Sequence, residues 1–81
     1  MTDDPSAALY LRDLGELLKE SALSARDDRD ETPVGADRAF ADGRLMAYHE
    51  VVSLMQQQAV AFGIDIGGLS LEDIDPGRDL V

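Results

Sequence analysis

Apolar and small residues recur along the first third of the chain in alternating steps of four and three residues. The series runs through Ala7, Leu11, Leu14, Leu18, Ser21 and Ala25. This spacing aligns them along one side of an α-helix and predicts helix 1 over about residues 5–29. Asp4 is a favourable N-cap, and Pro5 suits the first helical position because its φ is already fixed. Gly15 interrupts the series at a cost of about 1 kcal/mol relative to Ala, unless a close neighbour needs the space.

A longer series with the same spacing follows a connector at residues 30–36, where proline and glycine break the pattern. It runs through Ala41, Leu45, Tyr48, Val52, Met55, Ala59 and Phe62. A second row beside it contains Phe40, Ala47, Val51, Leu54 and Ala61. Together the rows cover roughly half of the helix circumference and predict helix 2 over about residues 37–62, with Gly43 as an alternative start. The opposite side is polar and carries Asp42, His49, Glu50, Ser53, Gln56 and Gln57. Gly63 fits the C′ position of a Schellman-type helix end.

Residues 63–81 form a tail in which aliphatic residues alternate with turn-forming residues. The aliphatic residues are Ile66, Leu69, Leu71, Ile74, Leu80 and Val81. Ser70 followed by Asp73 resembles a capping box and predicts one helical turn near residues 71–74. So many aliphatic side chains predict an ordered tail that packs either over the open end of its own helices or onto a partner chain.

These elements predict an all-α fold, an antiparallel two-helix hairpin with an ordered C-terminal tail. Each helix would be roughly 37–39 Å long at 1.5 Å per residue. The apolar arc of helix 2 is wider than one neighbouring helix covers, and so short a chain without disulfides or metals is usually marginal alone. We therefore expect a homodimer in which two hairpins form a four-helix bundle, with the second helices in the middle. A monomer capped by its own tail is the alternative. The predicted interface comprises Leu45, Tyr48, Val51, Val52, Leu54, Met55, Ala59 and Phe62.

Composition and net charge limit the kinds of molecule that the chain is expected to bind. The 81 residues make one small domain, and 17 acidic against 7 basic side chains give a formal net charge of −10. This charge repels the phosphates of nucleic acids and anionic lipids, so neither is expected as a partner. The absence of cysteine excludes disulfides, thiolate metal sites and a cysteine nucleophile. The longest uncharged stretch, residues 51–64, is too short and polar to span a bilayer, and no secretory signal is visible, so a cytoplasmic location is expected. Residues 32–62 are nearly neutral between acidic flanks, which predicts that they are the most buried segment.

No group of residues has the spacing of a known catalytic or metal site. His49 and Glu50 begin like the HExxH zinc signature, but a serine replaces the second histidine, and His49 is expected to be solvated. Glu16 and Glu20 share one side of helix 1, as in some di-iron bundles, yet helix 2 offers no facing carboxylate set. Residues 27–31 lack the ligand alternation and glycine of a calcium loop and are expected to form a frayed helix end. We therefore predict no catalytic, metal or cofactor site.

The sequence favours a small non-enzymatic protein–protein interaction or regulatory module that self-associates through helix 2. Its acidic first helix and tail would complement a partner protein with a basic surface. Two alternatives come from other classes: a carboxylate metal-binding helical bundle, and an acidic mimic of nucleic acid that occupies a DNA-binding protein. Residues 78–81 are expected to pack against their own bundle, the alternative being capture by a PDZ-like groove of another protein.

Overall fold

The computed structural model describes residues 5–81, and the regular structure of this part is entirely helical, without strands. Two long helices, α1 at Pro5–Glu31 and α2 at Ala36–Ala61, pack against each other as a hairpin. Two short helical turns follow, a 3₁₀ helix at Ile66–Leu69 and α3 at Pro76–Asp79. The predicted all-α class and the two packed long helices are therefore confirmed. No helix of the described part combines the length and apolar character needed to cross a membrane.

The end of α1 is held in place by contacts with α2 and with the connector. The helix continues through Glu31, so the predicted fraying of its last turn is wrong. Asp28 forms an exposed ion pair with Arg44 of α2, at 3.1 Å between Oδ2 and Nη1. The Thr32 hydroxyl donates to the Asp28 carbonyl and so satisfies one of the unpaired carbonyl groups at the helix end. The predicted N-cap at the other end, Asp4, lies outside the described residues.

The two ends of α2 follow from local backbone preferences. The helix begins at Ala36 and runs uninterrupted through Gly43, so the alternative start at that glycine is wrong. At its C-terminal end Gly63 adopts a φ of 68°, a left-handed conformation that glycine reaches without a Cβ clash. The N–H of Ile64 then donates to the Ala59 carbonyl at 2.7 Å, as the Schellman motif requires.

The core lies between the two helices and the tail. From α1 come only small buried residues, Gly15, Ala22 and Ala25. From α2 come Ala41, Leu45, Val52 and Ala59. From the tail come Leu69, Leu71, Ile74 and Leu80. The largest fully buried side chains belong to Leu71, Leu80 and Val52. The prediction that residues 32–62 are the most buried segment is therefore wrong, because the small residues of α1 leave space that tail side chains fill.

The tail folds back along one side of its own hairpin instead of covering the open end. The backbone carbonyl of Leu69 lies so close to Gly15 of α1 that a Cβ added to this glycine would overlap it. The close neighbour that accounts for a glycine in mid-helix is therefore the tail. Further along, Leu80 reaches the last turns of α1 and the middle of α2, where it is buried.

Aspartates begin both short helical turns of the tail. The carboxylates of Asp65 and Asp75 each accept a hydrogen bond from the backbone N–H two residues later, at 3.0 Å. Pro76 follows the second of them at the first helical position, where its fixed φ is favourable. The predicted helical turn at residues 71–74 is wrong, because Ser70 adopts a φ of 57° and ends the preceding 3₁₀ helix instead of capping a new one.

Candidate functional site

Polar side chains of α2 hold the tail by its backbone carbonyl groups. The Gln56 side-chain amide donates to the carbonyls of Leu71 at 3.0 Å and Ile74 at 2.8 Å. Two turns earlier, Nδ1 of His49 lies 3.2 Å from the carbonyl oxygen of Leu80. Both residues belong to the side of helix 2 predicted to be polar and solvated. The expectation of a solvated His49 is wrong, because the tail packs on that side.

Long basic side chains of α1 hold the same tail from the other helix. Nζ of Lys19 lies 2.9 Å from Oδ1 of Asp73. This hydrogen bond is the main reason that the pKa of Lys19 is raised and the pKa of Asp73 is lowered from their ordinary values. Arg26 and Arg29 donate to two backbone carbonyls within residues 78–81, at 3.4 and 2.6 Å. The last residues of the tail therefore pack against their own helices.

The tail leaves the opposite side of the hairpin uncovered. Residues advance by about 100° around an α-helix, so positions two apart differ by about 200°. Leu17 precedes Lys19 by two residues on α1, and Leu54 precedes Gln56 by two residues on α2. Because Lys19 and Gln56 contact the tail, Leu17 and Leu54 point to the side that it does not cover.

We define the open face as the apolar residues on this uncovered side of α1 and α2. It comprises Tyr10, Leu14, Leu17, Phe40, Ala47, Tyr48, Val51, Leu54, Met55 and Phe62. Six of its large side chains are exposed, from 41% at Val51 to 76% at Phe62. Tyr48 and Met55 are half-buried and pack against the core. Contiguous apolar surface of this kind marks binding surfaces in soluble proteins.

The residues predicted to form an interface divide between the core and the open face. Leu45, Val52 and Ala59 are buried in the core of the single chain. The other five lie on the open face, namely Tyr48, Val51, Leu54, Met55 and Phe62. The predicted interface contains no residue of α1, where Tyr10 and Leu17, which widen the apolar series of helix 1, are also exposed. Their angular offset from the main apolar series of helix 1 is the signal that could have identified them.

Within residues 5–81, charged side chains occupy the uncovered side of the hairpin only at its connector end. There Arg44 forms its ion pair with Asp28 and also stacks on Tyr48, with 5.5 Å between the guanidinium carbon and the ring centre. Asp37 lies two turns closer to the connector. The rest of the open face is uncharged, although the chain carries a net charge of −10. The acidic excess therefore lies on other surfaces.

A groove of about 660 Å³ runs beside the end of the tail. It is lined by Arg29, Asp42, Leu45, Met46, His49, Glu50, Leu80 and Val81. Three of its four ionisable side chains already have partners within the chain: Arg29 lies 3.7 Å from Asp42, and His49 faces the Leu80 carbonyl. General acid–base chemistry needs a free acid and base around a reacting atom, and this groove does not bring such a set together.

The carboxylates of the described residues do not converge on a metal site. Among residues 5–81, no three His, Asp or Glu side chains are grouped so that they could hold a metal ion. Glu16, one of the two carboxylates singled out on helix 1, instead forms an ion pair with Lys19 at 3.1 Å. Hard cations need several oxygen ligands around one point. The described part of the chain therefore gives the metal-binding alternative no support.

Comparison with known proteins supplies no functional assignment for this chain. No protein-family model matches the chain, no curated protein matches its sequence, and no solved structure matches its fold.

Proposed function

We propose that this chain is a small protein–protein interaction module that self-associates through its open face. In this proposal two hairpins pack face to face into a homodimeric four-helix bundle, and the tails lie on the two outer sides. The observation that carries the proposal is the row of exposed apolar side chains on both helices, opposite the tail. Most of the large side chains in this row belong to α2.

The dimensions of the open face suit a specific protein interface. The helices are about 40 Å long at 1.5 Å per residue, and the molecule is 21 Å across its second axis. The outline of one whole side of the hairpin is then about 800 Å², comparable with the area that each partner contributes to an interface of standard size. An interface of that size therefore fits on this side of the hairpin.

The charge distribution is compatible with a second copy as the occupant of the open face. Two chains with a net charge of −10 repel each other as whole molecules. On the open face, however, the uncharged part extends from Tyr48 to the C-terminal end of α2, so the contact brings few like charges together. At about 0.15 M salt the Debye length is about 8 Å, and the repulsion between the remote acidic surfaces is largely screened.

Replacing Leu54 with aspartate tests the proposal. Leu54 is 58% exposed in the single chain, so the substitution should leave the hairpin folded. In a two-fold dimer it removes two apolar contacts and adds two buried charges. Losing about 1.5 kcal/mol per copy would weaken association about 100-fold. Light-scattering mass after size exclusion should fall from near twice 8.8 kDa for the wild type to 8.8 kDa for Leu54→Asp.

The matched control is Val60→Asp, which adds the same charge to the same helix. Val60 is 74% exposed and lies outside the open face, separated from Leu54 by about 120° around the helix axis. This variant should keep the wild-type mass. The proposal is contradicted if the wild type keeps a mass of 8.8 kDa at every protein concentration measured. It is also contradicted if the two variants have equal masses. Far-UV circular dichroism must show that both variants remain helical.

A basic partner protein and a cytoplasmic location are further parts of this proposal. The acidic residues that stand outside the open face, such as Asp13 and Glu20 on α1, would form the outer surface of the dimer. A partner held by these charges should dissociate as salt rises from about 0.05 to 0.5 M, because screening weakens exposed charge pairs. If a lysine-rich test protein binds equally well at low and high salt, the proposed basic partner is contradicted. The proposed self-association is unaffected by that result.

A further inference from the structure

We infer that the two copies associate with their connectors at the same end, related by a two-fold axis that runs parallel to the helices. This inference rests on the proposed self-association and adds the orientation of the partner. It follows from the position of the ion pair between Arg44 and Asp28. These two residues come from different helices and, together with Asp37, are the charged residues that we placed at the connector end of the uncovered side.

A face-to-face pair of hairpins has two symmetric arrangements. If the two-fold axis runs along the helices, α2 of one copy lies over α1 of the other, and both connectors are at one end. If the axis runs across the helices, α2 lies over α2 of the other copy, and the connectors are at opposite ends. This second arrangement is the one with the second helices in the middle that the sequence predicts. Neighbouring helices are antiparallel in both arrangements, so helix packing alone does not select between them.

The charged pair selects the first arrangement. With the connectors together, Arg44 of each copy lies over the position of Asp28 in the other copy. Four charges of alternating sign then meet, and each arginine has a carboxylate in its own chain and one in the partner. With the connectors apart, the pair of each copy would lie over the end of the face that carries Tyr10 and Phe62. The pair would lose water there and gain no opposite charge, which is unfavourable.

The apolar positions are also compatible with the first arrangement. Phe62 at the end of α2 and Tyr10 near the start of α1 are at the same level of the hairpin, far from the connector. With the connectors together, the phenylalanine of one copy lies over the tyrosine of the other, which places two aromatic rings together. Across the middle of the face Leu54 lies over Leu17. In this arrangement aromatic side chains therefore face aromatic side chains, and leucines face leucines.

Mixing two charge-reversed variants tests the orientation. Arg44→Asp gives a chain with two acids at the pair, and Asp28→Arg gives a chain with two bases. Each variant alone should dimerise at least tenfold more weakly than the wild type, because like charges then face each other. An equimolar mixture should recover the dimer, since both contacts between the chains become attractive. The ion pair is exposed, so its loss within one chain costs little folding stability.

The control mixture uses the same changes of net charge away from the open face. Arg12→Asp and Asp13→Arg alter two exposed side chains on α1 for which no ion pair is formed with the tail or with α2. Each of these should dimerise like the wild type, and mixing them should add little. If the wild type dimerises but the Arg44 and Asp28 variants recover no more on mixing than the controls, the orientation is overturned while self-association stands. A monomeric wild type would overturn both.

A distance measurement gives an independent answer. The chain has no cysteine, and Val34 in the connector is 94% exposed, so Val34→Cys accepts a single spin label. With the connectors together, the two labels should lie within about 25 Å, given helices packed 8–10 Å apart. With the connectors at opposite ends, the labels should be separated by about the 40 Å length of the helices or more. The longer distance would overturn the inference.

Discussion

Replacing Gly15 with alanine should loosen the tail from α1. A Cβ at this position would overlap the backbone carbonyl of Leu69. That carbonyl belongs to the 3₁₀ helix Ile66–Leu69, so it cannot turn aside as a flexible side chain can. Either this turn moves outward or α1 shifts, and Leu69 and the fully buried Leu71 lose part of their packing.

Two opposing effects set the magnitude of this change. Alanine is favoured over glycine in a helix interior by about 1 kcal/mol. An extra methyl group forced into a packed core costs about 1–3 kcal/mol, and each aliphatic side chain that loses its burial adds up to about 1.5–3 kcal/mol. Gly15→Ala should therefore lower the free energy of unfolding by about 1–3 kcal/mol. Gly43→Ala is the matched control, because nothing lies within 4 Å of its added Cβ. It should raise the free energy of unfolding by about 1 kcal/mol.

Urea denaturation followed by far-UV circular dichroism measures both variants. The protein concentration must be identical in all samples, because self-association would make the apparent stability depend on it. The informative quantity is the difference between the two variants, since the helix-propensity gain is common to both and cancels. We expect Gly15→Ala to be less stable than Gly43→Ala by about 2–4 kcal/mol. If both variants gain the same stability, the tail does not press on α1 at Gly15 and the reasoning fails.

Two further predictions concern the contacts that hold the tail. Gln56→Ala should lower the free energy of unfolding by about 1–3 kcal/mol, because two tail carbonyls lose their donor, whereas Gln57→Ala at an exposed position should change it by less than about 0.5 kcal/mol. Equal effects in urea denaturation would show that the Gln56 contacts do not matter. The pKa of Asp73 lies below its ordinary value of 3.8, so its pairing with Lys19 stabilises the fold above that pH and stops doing so as the pH falls through the lowered pKa. The difference in unfolding free energy between wild type and Asp73→Asn should thus be constant between about pH 5 and 8 and diminish as the pH falls through the lowered pKa; a difference that persists unchanged in acid would contradict this assignment.

The two long helices could be predicted from sequence because their signal is local. Steps of four and three residues depend only on helix geometry, and the Gly63 end depends only on backbone preference. The same pattern could not separate the core from the open face. Val52 and Leu54 are both aliphatic and only two residues apart, yet the first is fully buried and the second is exposed. That division depends on which side of the hairpin the tail occupies.

The position of the tail could not be predicted because part of what holds it is polar. Gln56 belongs to a polar row that the pattern assigns to solvent, and its partners are carbonyls 15 and 18 positions later in the chain. The spacing of apolar and polar residues carries no information about a hydrogen bond between a side chain and a distant backbone group. Two residues of the tail also carried competing signals for the start of a helical turn. Ser70 resembles an N-cap, but Asp75 followed by a proline is the stronger signal, and the turn begins there.

The way in which the tail is held affects how its sequence can vary. Gln56, Arg26 and Arg29 bind backbone carbonyls, which every amino acid provides. An exposed tail residue such as Glu72 can therefore be exchanged without removing an acceptor, whereas a change at Gln56 removes a donor that serves two acceptors. Among variants that keep this fold, we expect substitutions to accumulate at exposed positions of the tail and to be resisted at its buried residues, such as Leu71 and Leu80, and at its partners on the helices. Variable exposed positions would then coexist with a strict structural requirement for the tail, and part of that requirement would be recorded in α1 and α2.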